Sequence, residues 1–302
     1  MSFIDRLDAL VLERGTPAMV GIDPHLALLP EEFGKARDTN APRAERAEAV
    51  TRFCVELLDL VHERVAVVKP QSAFFELLGA DGVQAFETVC RHARSLGLLV
   101  VGDVKRGDIA STAAAYAESF LAPDPAHGTP LCDAITVSPY LGADTLEPFV
   151  DTCRKTGGGM YVLVRTSNPG SGVFQEHGSP PLWSVVGEAL ERAGSDLMGE
   201  CGLSSIGAVV GGTHPEELRT IRAALPNTPF LIPGFGAQGA GAEEIAGGFP
   251  DASQPLRGGV VNSSRGIAFA WRKHEGLHWK DASSRALDEM NDELVRALGV
   301  SG

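Results

Sequence analysis

Short, nearly continuous runs of apolar residues alternate along the chain with longer segments in which apolar residues recur every three or four positions. Eight of the runs are candidates for parallel strands, because strands that are covered on both faces show little polar alternation. The candidate strands are residues 18–23, 66–71, 98–105, 134–139, 159–166, 206–212, 229–235 and 258–264. The segments between them have the period of amphipathic helices. Eight strand–helix units predict an α/β fold with a closed (β/α)8 barrel.

The residues at the ends of these strands favour the barrel over a doubly wound open sheet, which is the main alternative. Polar residues or glycines end nearly every candidate strand, namely Asp23, Lys69, Asp103, Lys105, Ser138, Thr166, Gly211, Gly234, Ser263 and Ser264. In a barrel, all carboxyl ends of the strands open onto one face, where the loops build the active site. An open sheet would concentrate such residues near one switch point.

We therefore expect a single TIM barrel domain over residues 1–302, with loop insertions at its C-terminal face. Three long connections, rich in Pro, Gly or charge, are the candidate insertions: residues 24–43, 121–133 and 167–182. The third is expected to lie above the mouth of the barrel.

The charge and the cysteines of the chain exclude several kinds of partner. A formal net charge of -13 repels nucleic acid and anionic membranes, whereas a single anionic metabolite can still bind where basic side chains converge. No stretch of the sequence approaches the roughly 20 apolar residues that span a bilayer. The five cysteines are far apart and include no CxxC pair, which is typical of reduced thiols. We expect a cytoplasmic protein that binds neither nucleic acid nor membranes.

The segment DVKRGDI at the end of the third predicted strand carries the strongest chemical signal. Asp103 and Lys105 are two residues apart, so their side chains share one face of the strand and point together into the barrel mouth. Asp108 follows just past the strand end. Lys69 and Asp23 end two other strands and extend the array of acidic and basic groups. Salt bridges with a purely structural role are the alternative, but buried charged pairs are costly to desolvate and seldom favour stability.

A phosphate site is predicted on independent grounds. A glycine-rich turn, PGFGAQG, follows the seventh predicted strand, and NSSRG follows the eighth. Loops after strands 7 and 8 are the recurrent phosphate site of this fold. Glycines let backbone N–H groups approach the anion, a helix N-terminus adds a favourable dipole, and Arg265 supplies a fixed charge. The alternative is that these glycines only make tight turns.

Two other motif matches are weak. GFGAQG fits the dinucleotide fingerprint GxGxxG, but the strand that follows it ends in Asn262, Ser263 and Ser264 and not in an acidic residue. HEGLH, at 274–278, formally fits the zinc motif HExxH, but Gly276 weakens the helix that such a site needs. We predict no metal site and no dinucleotide site.

These segments resemble those of the orotidine monophosphate decarboxylase family. DVKRGDI fits the family signature DxKxxD, and its continuation ASTAAAYA is similar to the longer-chain bacterial subgroup. The matching segments follow one another in the order GIDPH, VVKPQ, DVKRGDI, TVSPYLG, RTSNPGS, PGFGAQG and NSSRGI. The resemblance implies decarboxylation of orotidine 5'-monophosphate to uridine 5'-monophosphate in de novo pyrimidine biosynthesis, with neither a metal nor a cofactor.

The resemblance also implies a role for each matching residue of the array. Lys105 would deliver a proton to ring carbon 6, and Asp103 would lie against the substrate carboxylate. Lys69 would hold the network between Asp103 and the ribose, which Asp23 would bind. Ser138 would contact the pyrimidine ring.

Further implied contacts lie around the array. Asp108, Ile109 and Thr112 would reach into the neighbouring subunit's site, so that the active unit is a homodimer with shared active sites. The implied contacts in the loops after strands 7 and 8 are Pro233, Gln238, Arg265 and Gly266. The chain departs from some family members in having no tyrosine beside the phosphate-loop glutamine.

Two rival functions remain for the experiments below. One is a magnesium-dependent sugar-phosphate enzyme on the same barrel, in which an acidic residue of the second strand helps to bind the metal. This chain has Lys69 at that place, and an ammonium group repels a divalent cation. The other is a non-catalytic nucleotide-binding protein, which the presence of every candidate chemical residue argues against.

Overall fold

The computed structural model describes residues 1–212, 215–236, 241–250, 253–274 and 276–300. Eight parallel strands follow one another around a closed barrel, and β8 pairs with β1. The strands are β1 Ala18–Ile22, β2 Val67–Pro70, β3 Leu99–Arg106, β4 Ala134–Val137, β5 Gly159–Arg165, β6 Ile206–Val210, β7 Phe230–Pro233 and β8 Gly259–Ser263. The predicted (β/α)8 barrel is confirmed, and the open sheet is excluded.

Helices follow the strands and form the outer layer, and one further helix precedes the first strand. They are α1 Phe3–Arg14, α2 Arg43–Val61, α3 Ser72–Glu76, α4 Gly79–Ser95, α5 Ala110–Leu121, α6 Glu147–Thr156, α7 Gly172–Gln175, α8 Leu182–Gly194, α9 Pro215–Ala224, α10 Ala242–Ala246, α11 Arg265–Ala268 and α12 Trp279–Ala297. Short 3-10 helices occur at Leu26–Leu28, Glu31–Arg37, Ala143–Leu146 and Ala270–Lys273. Within the described ranges, no helix combines the length and the apolar character needed to cross a membrane.

The position of one predicted insertion needs correction. Residues 24–43 and 167–182 follow β1 and β5, so they lie at the C-terminal face as expected. The segment 121–133 instead connects the end of α5 to the start of β4. A helix that follows a strand runs back along the barrel, so this connection lies at the opposite, amino-terminal face.

The side chains inside the barrel form an apolar layer that ends where charged residues begin. Its strand members are Met19, Val67, Leu99, Val101, Ala134, Tyr161, Val209, Leu231 and Val260. Because side chains alternate across a strand, the inward position after Val67 is that of Lys69. In the same way, the inward position after Val101 is that of Asp103. The charged side chains therefore lie directly above the apolar layer, at the carboxyl ends of the strands.

The first helix closes the amino-terminal end of the barrel. The buried residues of α1 are Phe3, Ile4, Leu7 and Val11. Phe3 packs edge-on against Tyr161 inside the barrel, with 6.1 Å between the ring centroids. Gly159 makes room for it, because a Cβ atom there would lie 2.3 Å from Cδ1 of Phe3. The barrel is thus packed shut at this end and opens at the carboxyl ends of its strands.

Phe3→Ala tests the importance of this closure. The ring is fully buried, so its removal should lower the free energy of unfolding by about 3–5 kcal/mol. The site at the far end of the barrel should keep its kcat at temperatures where the variant is folded. Leu12→Ala, on the exposed side of the same helix, is the matched control and should change stability by less than about 1 kcal/mol. Urea denaturation measures the free energy of unfolding of both variants. An equal loss of stability in the two would contradict the role assigned to Phe3.

Candidate active site

A single buried carboxylate organises the mouth of the barrel. Oδ2 of Asp103 accepts hydrogen bonds from Nζ of Lys69 at 2.6 Å and from Nε2 of Gln71 at 2.9 Å. Oδ1 accepts from Nζ of Lys105 at 2.5 Å and from the Thr136 hydroxyl at 3.0 Å. Both oxygens are therefore paired, as a buried charge requires.

The three charged groups differ in their access to solvent. The side chains of Lys69 and Asp103 are 6% and 7% exposed, whereas that of Lys105 is 46% exposed. Lys69 is enclosed by the protein, so it is suited to fixing Asp103 in place. Lys105 shares the same carboxylate but faces the open mouth. Of these three groups, its ammonium is the one most accessible to a bound molecule.

Asp103 and Lys69 carry opposite charges at neutral pH. Burial raises the pKa of the Asp103 carboxyl, but the ammonium groups of Lys69 and Lys105 outweigh it and lower this pKa to about 2. Burial also opposes the charge on Lys69, but the carboxylates of Asp103 and Asp23 hold the pKa of Lys69 above its usual value. The mouth therefore holds fixed charges of both signs.

The backbone at Lys105 has an unusual conformation. Its φ angle is 43°, in the left-handed region that side-chain-bearing residues rarely adopt. Thr136 of β4 stabilises this turn, because its hydroxyl oxygen accepts the backbone N–H groups of Val104 at 3.0 Å and of Lys105 at 2.9 Å. The pairing of β3 with β4 shifts register at the same point. Such strain costs on the order of 1–3 kcal/mol and is typical of functional sites.

Asp23 lies at the end of β1 with an unsatisfied acceptor. Its Oδ1 atom is buried and accepts no hydrogen bond from any residue in the described part of the chain. A buried acceptor without a partner is costly, so this atom suits a donor from a bound molecule. Nearby, the centroid of the His25 ring lies 4.1 Å from that of the Phe74 ring and 6.1 Å from that of the Phe269 ring. Burial lowers the pKa of His25, Asp23 opposes this effect and Arg265 adds to it.

The predicted phosphate side lies where β8 meets β1. Arg265 is exposed and directly follows the loop after β8. Gly21 lets this loop pack on the backbone of β1, because a Cβ atom there would lie 1.9 Å from Oγ of Ser264. Pro233 ends β7 and Gly266 follows Arg265, so both lie at this face.

Part of the phosphate prediction falls outside the described residues. Gln238 and the rest of the turn at 237–240 are not among them. The helix that begins at Arg265 has only four residues, so its dipole is much weaker than the sequence pattern implied. Among the described residues of this loop region, Arg265 supplies a side-chain positive charge.

Ser138 lies on the β4–β5 side of the mouth, next to the charged array. Its backbone N–H donates to the Arg106 carbonyl oxygen at 2.8 Å. A cavity of about 520 Å³ opens beside it, with Leu163 and Gln175 among its lining residues. Most of the other lining side chains are apolar: Pro139, Leu146, Val164, Phe174, Leu182, Val185 and Val186. None of the charged residues of the array lines this cavity, which lies between the loops after β4 and β5 and helix α8, so an apolar cavity adjoins the charged array on this side.

Asp108, Ile109 and Thr112 lie at the rim. Oδ1 of Asp108 accepts the backbone N–H of Ile109 at 2.8 Å. The Ile109 side chain is 59% exposed, and Thr112 is exposed as well. The structure thus gathers Lys69, Asp103 and Lys105 at the mouth. Asp108, Ile109 and Thr112 lie apart from them, at the rim.

Sequence reasoning missed two residues of the array, Gln71 and Thr136. Both contact Asp103 directly. Thr136 had a detectable signal, because it is a polar residue within the apolar run of β4 and precedes Ser138 by two positions. Gln71 follows Lys69 by two positions, and the same alternation would have placed it at the mouth.

The weak zinc motif does not form a zinc-protease helix. His274 ends a 3-10 helix and His278 precedes the first residue of α12, so the two do not share a helix. Among the described residues, no three His, Cys, Asp or Glu side chains come together as a metal site needs. Glu275 lies outside the described residues.

The depressed pKa of Asp103 predicts a specific dependence of stability on pH. The folded pKa, about 2, lies below the ordinary value of 3.8. The ionised carboxylate therefore stabilises the fold above pH ~4, and this contribution of about 2 kcal/mol is lost as the pH falls from about 4 towards 2. Urea denaturation at several pH values measures the free energy of unfolding. Between about pH 4 and pH 2, this free energy should fall less for Asp103→Asn than for the wild type. Equal losses would contradict the assigned pKa.

Comparison with known proteins places this geometry in one family. The family model described as "Orotidine 5'-phosphate decarboxylase / HUMPS family" matches residues 19–276. The orotidine 5'-phosphate decarboxylase of Rhodopirellula baltica is 41% identical over 97% of this chain and 99% of its own length. A Streptomyces avermitilis crystal structure has a TM-score of 0.79 and 37% identity, covering 99% of this chain and 96% of that one. Leishmania donovani OMP decarboxylase has a TM-score of 0.73 and 31% identity over the full length of both chains. The chain therefore belongs to the orotidine 5'-phosphate decarboxylase / HUMPS family.

Proposed function

We propose that this protein converts orotidine 5'-monophosphate to uridine 5'-monophosphate and carbon dioxide, as a step of de novo pyrimidine biosynthesis. The observation that carries the proposal is the ammonium of Lys105, held on the buried Asp103 at 2.5 Å and open to the mouth. Membership of the family and the names of the relatives support it. The reaction needs neither a metal nor a cofactor.

The chemistry assigns complementary tasks to the two charges. The bond between ring carbon 6 and the carboxylate breaks, and its electron pair stays on carbon 6 in the ring plane, where the ring delocalises it poorly. The fixed ammonium of Lys105 stabilises this developing charge and then donates a proton to carbon 6. Asp103 lies against the departing carboxylate, so like-charge repulsion is relieved as carbon dioxide leaves. The neutral amine of Lys105 regains its proton from water.

The remainder of the nucleotide must contribute to catalysis. Enzymes of very slow reactions lower the barrier by on the order of 20 kcal/mol, and one ion pair does not supply that amount. Binding energy from the ribose and phosphate is therefore used to hold the reacting carbon in place. The residues proposed for these contacts are Asp23 and Lys69 for the ribose, Ser138 for the pyrimidine, and Pro233, Gln238, Arg265 and Gly266 around the phosphate.

We propose further that the active unit is a homodimer. Ile109, Tyr140 and Leu141 are 59%, 79% and 52% exposed around one side of the mouth. Exposed apolar side chains clustered beside polar ones are typical of an interface. Asp108, Ile109 and Thr112 of each protomer would then complete the site of the other. This arrangement accounts for their position at the rim.

Lys69 argues against a magnesium-dependent sugar-phosphate reaction at this site. Its ammonium lies 2.6 Å from Asp103, where it occupies one side of the carboxylate that a divalent cation would need. We place the enzyme in the cytoplasm as a single domain over residues 1–302. The five cysteines are all unpaired, which suits a reducing compartment.

A spectrophotometric assay of the purified protein with orotidine 5'-monophosphate tests the activity. Substrate absorbance should fall with formation of uridine 5'-monophosphate, at the same rate with and without excess EDTA. No turnover in either case would contradict the proposal, and loss of turnover with EDTA would contradict the metal-free reaction. Sugar phosphates with magnesium would be the next substrates to assay.

Lys105→Ala separates catalysis from binding. The variant should lose at least about 10³-fold in kcat, because it lacks the only group assigned to protonate carbon 6. It should still bind uridine 5'-monophosphate, since the ribose and phosphate contacts remain. Calorimetric titration measures the affinity and the spectrophotometric assay the rate. Turnover that survives the substitution would show that the proton donor is misassigned.

Mixed dimers test the shared sites. In a dimer of one Lys105→Ala and one Asp108→Ala protomer, one site has both wild-type residues and the other has neither. Co-expression should therefore give about a quarter of the wild-type activity after random pairing, although each variant alone is nearly inactive. Activity no higher than the mean of the two variants would contradict the shared site, as would a fully active monomer in sedimentation.

A further inference from the structure

Arg165 is a buried cation at the end of β5 that the proposed reaction does not use. Its side chain is 8% exposed. Nε donates to Oε1 of Glu217 in α9 at 2.8 Å, and Nη1 donates to the Thr166 carbonyl oxygen at 3.1 Å. The same guanidinium also donates to the side chains of Ser171 and Glu176. It therefore connects its own strand to a helix and to the loop that follows the strand.

Gln175 joins the two ends of this loop. Its Oε1 atom accepts the backbone N–H of Thr166 at 2.8 Å, and its Nε2 atom donates to the Thr166 hydroxyl at 2.9 Å. Nη1 of Arg165 lies 3.5 Å from the same Oε1 atom. The segment 166–176 is thus closed on itself around the guanidinium. A planar group with five N–H donors suits such a centre, whereas an ammonium lacks its fixed geometry.

The closed loop forms one side of the apolar cavity beside Ser138. Gln175 and Phe174 line the same cavity as Ser138 and Leu163. Ser138 lies two residues beyond Thr136, which bonds to Asp103. The loop therefore faces the space next to the reacting groups, opposite the side where Arg265 lies.

A stabilising role alone explains this arrangement poorly. Transfer of a guanidinium from water to the interior is costly, and buried ion pairs seldom repay the cost compared with apolar side chains. One of the two carboxylates, Glu176, is 53% exposed. Its ion pair with Arg165 therefore stabilises the fold less than a fully buried ion pair of the same geometry would. What the guanidinium does supply is a fixed geometry for the loop, through directional bonds to several of its residues.

We propose that Arg165 is a positioning residue, which holds the loop 166–176 against the pyrimidine side of the site and so sets the affinity for the base. The inference rests on the proposed function. It assigns no contact between Arg165 and the substrate. Recognition of the ribose and phosphate should be independent of it, because the residues proposed for those contacts lie on β1, β2, β7 and β8.

Two variants and a matched control test the proposal. Arg165→Met removes the guanidinium, and Gln175→Leu removes the loop closure without touching a charge. Glu216→Gln is the control, because Glu216 also lies on α9 but is 91% exposed and pairs with Arg219. Calorimetric titration with uridine 5'-monophosphate and with ribose 5-phosphate gives the affinities, and the decarboxylation assay gives kcat and KM.

The expected result is selective. Affinity for uridine 5'-monophosphate and kcat/KM should fall about 10- to 100-fold in both test variants, the range expected when a supporting group is displaced. Affinity for ribose 5-phosphate should be unchanged, and the control should match the wild type. Arg165→Lys should recover part of the loss, because it keeps the charge. Equal loss of both ligands would overturn the proposal in favour of a structural role, as would no loss of either.

Hydrogen exchange in the ligand-free protein separates this inference from the proposed function. Amides of the segment 166–176 should exchange at least about tenfold faster in Arg165→Met, while those of β5 keep their rates. Unchanged exchange would overturn the positioning role. If the wild type fails to turn over orotidine 5'-monophosphate but the exchange result holds, the loop assignment stands and the proposed function fails.

Discussion

The buried carboxylate of Asp103, held between two ammonium groups, is the interaction on which the remainder of the site depends. A lone charge at that depth would be strongly destabilising. Two ammonium groups, an amide and a hydroxyl satisfy it. These partners come from β2, β3 and β4, so the charge also fixes how the ends of neighbouring strands are arranged. Stability and electrostatic preorganisation share one set of contacts here.

The mouth of the barrel is divided by chemistry. Charged side chains lie above β1 to β3, an apolar cavity opens beside β4 and β5, and the exposed Arg265 follows β8. A nucleotide has the same division, with an anionic phosphate, a polar sugar and a flat base. In the proposed complex, the base would lie near the cavity and the phosphate near Arg265.

Alternation along strands explains why part of the site was predictable from sequence. It placed Asp103 and Lys105 on one face, because inward positions recur every two residues. The position of Lys69 at the end of another strand placed it at the same end of the barrel. It did not reveal the left-handed turn at Lys105, which depends on the Thr136 hydroxyl of another strand. The role of Arg165 was equally hidden, because its partners lie on a loop and on α9. Contacts between distant segments leave no periodic signal.

The helix that packs into the amino-terminal end affects how substrate enters the site and how product leaves it. Phe3 and its neighbours fill that end and the apolar layer fills the interior, so the site opens at the carboxyl ends of the strands. Whatever enters the site must depart by the route through which it arrived. A departing nucleotide and an arriving one therefore occupy the same passage in turn. Product and substrate would therefore compete for the free protein, so the product would act as a competitive inhibitor of the proposed reaction.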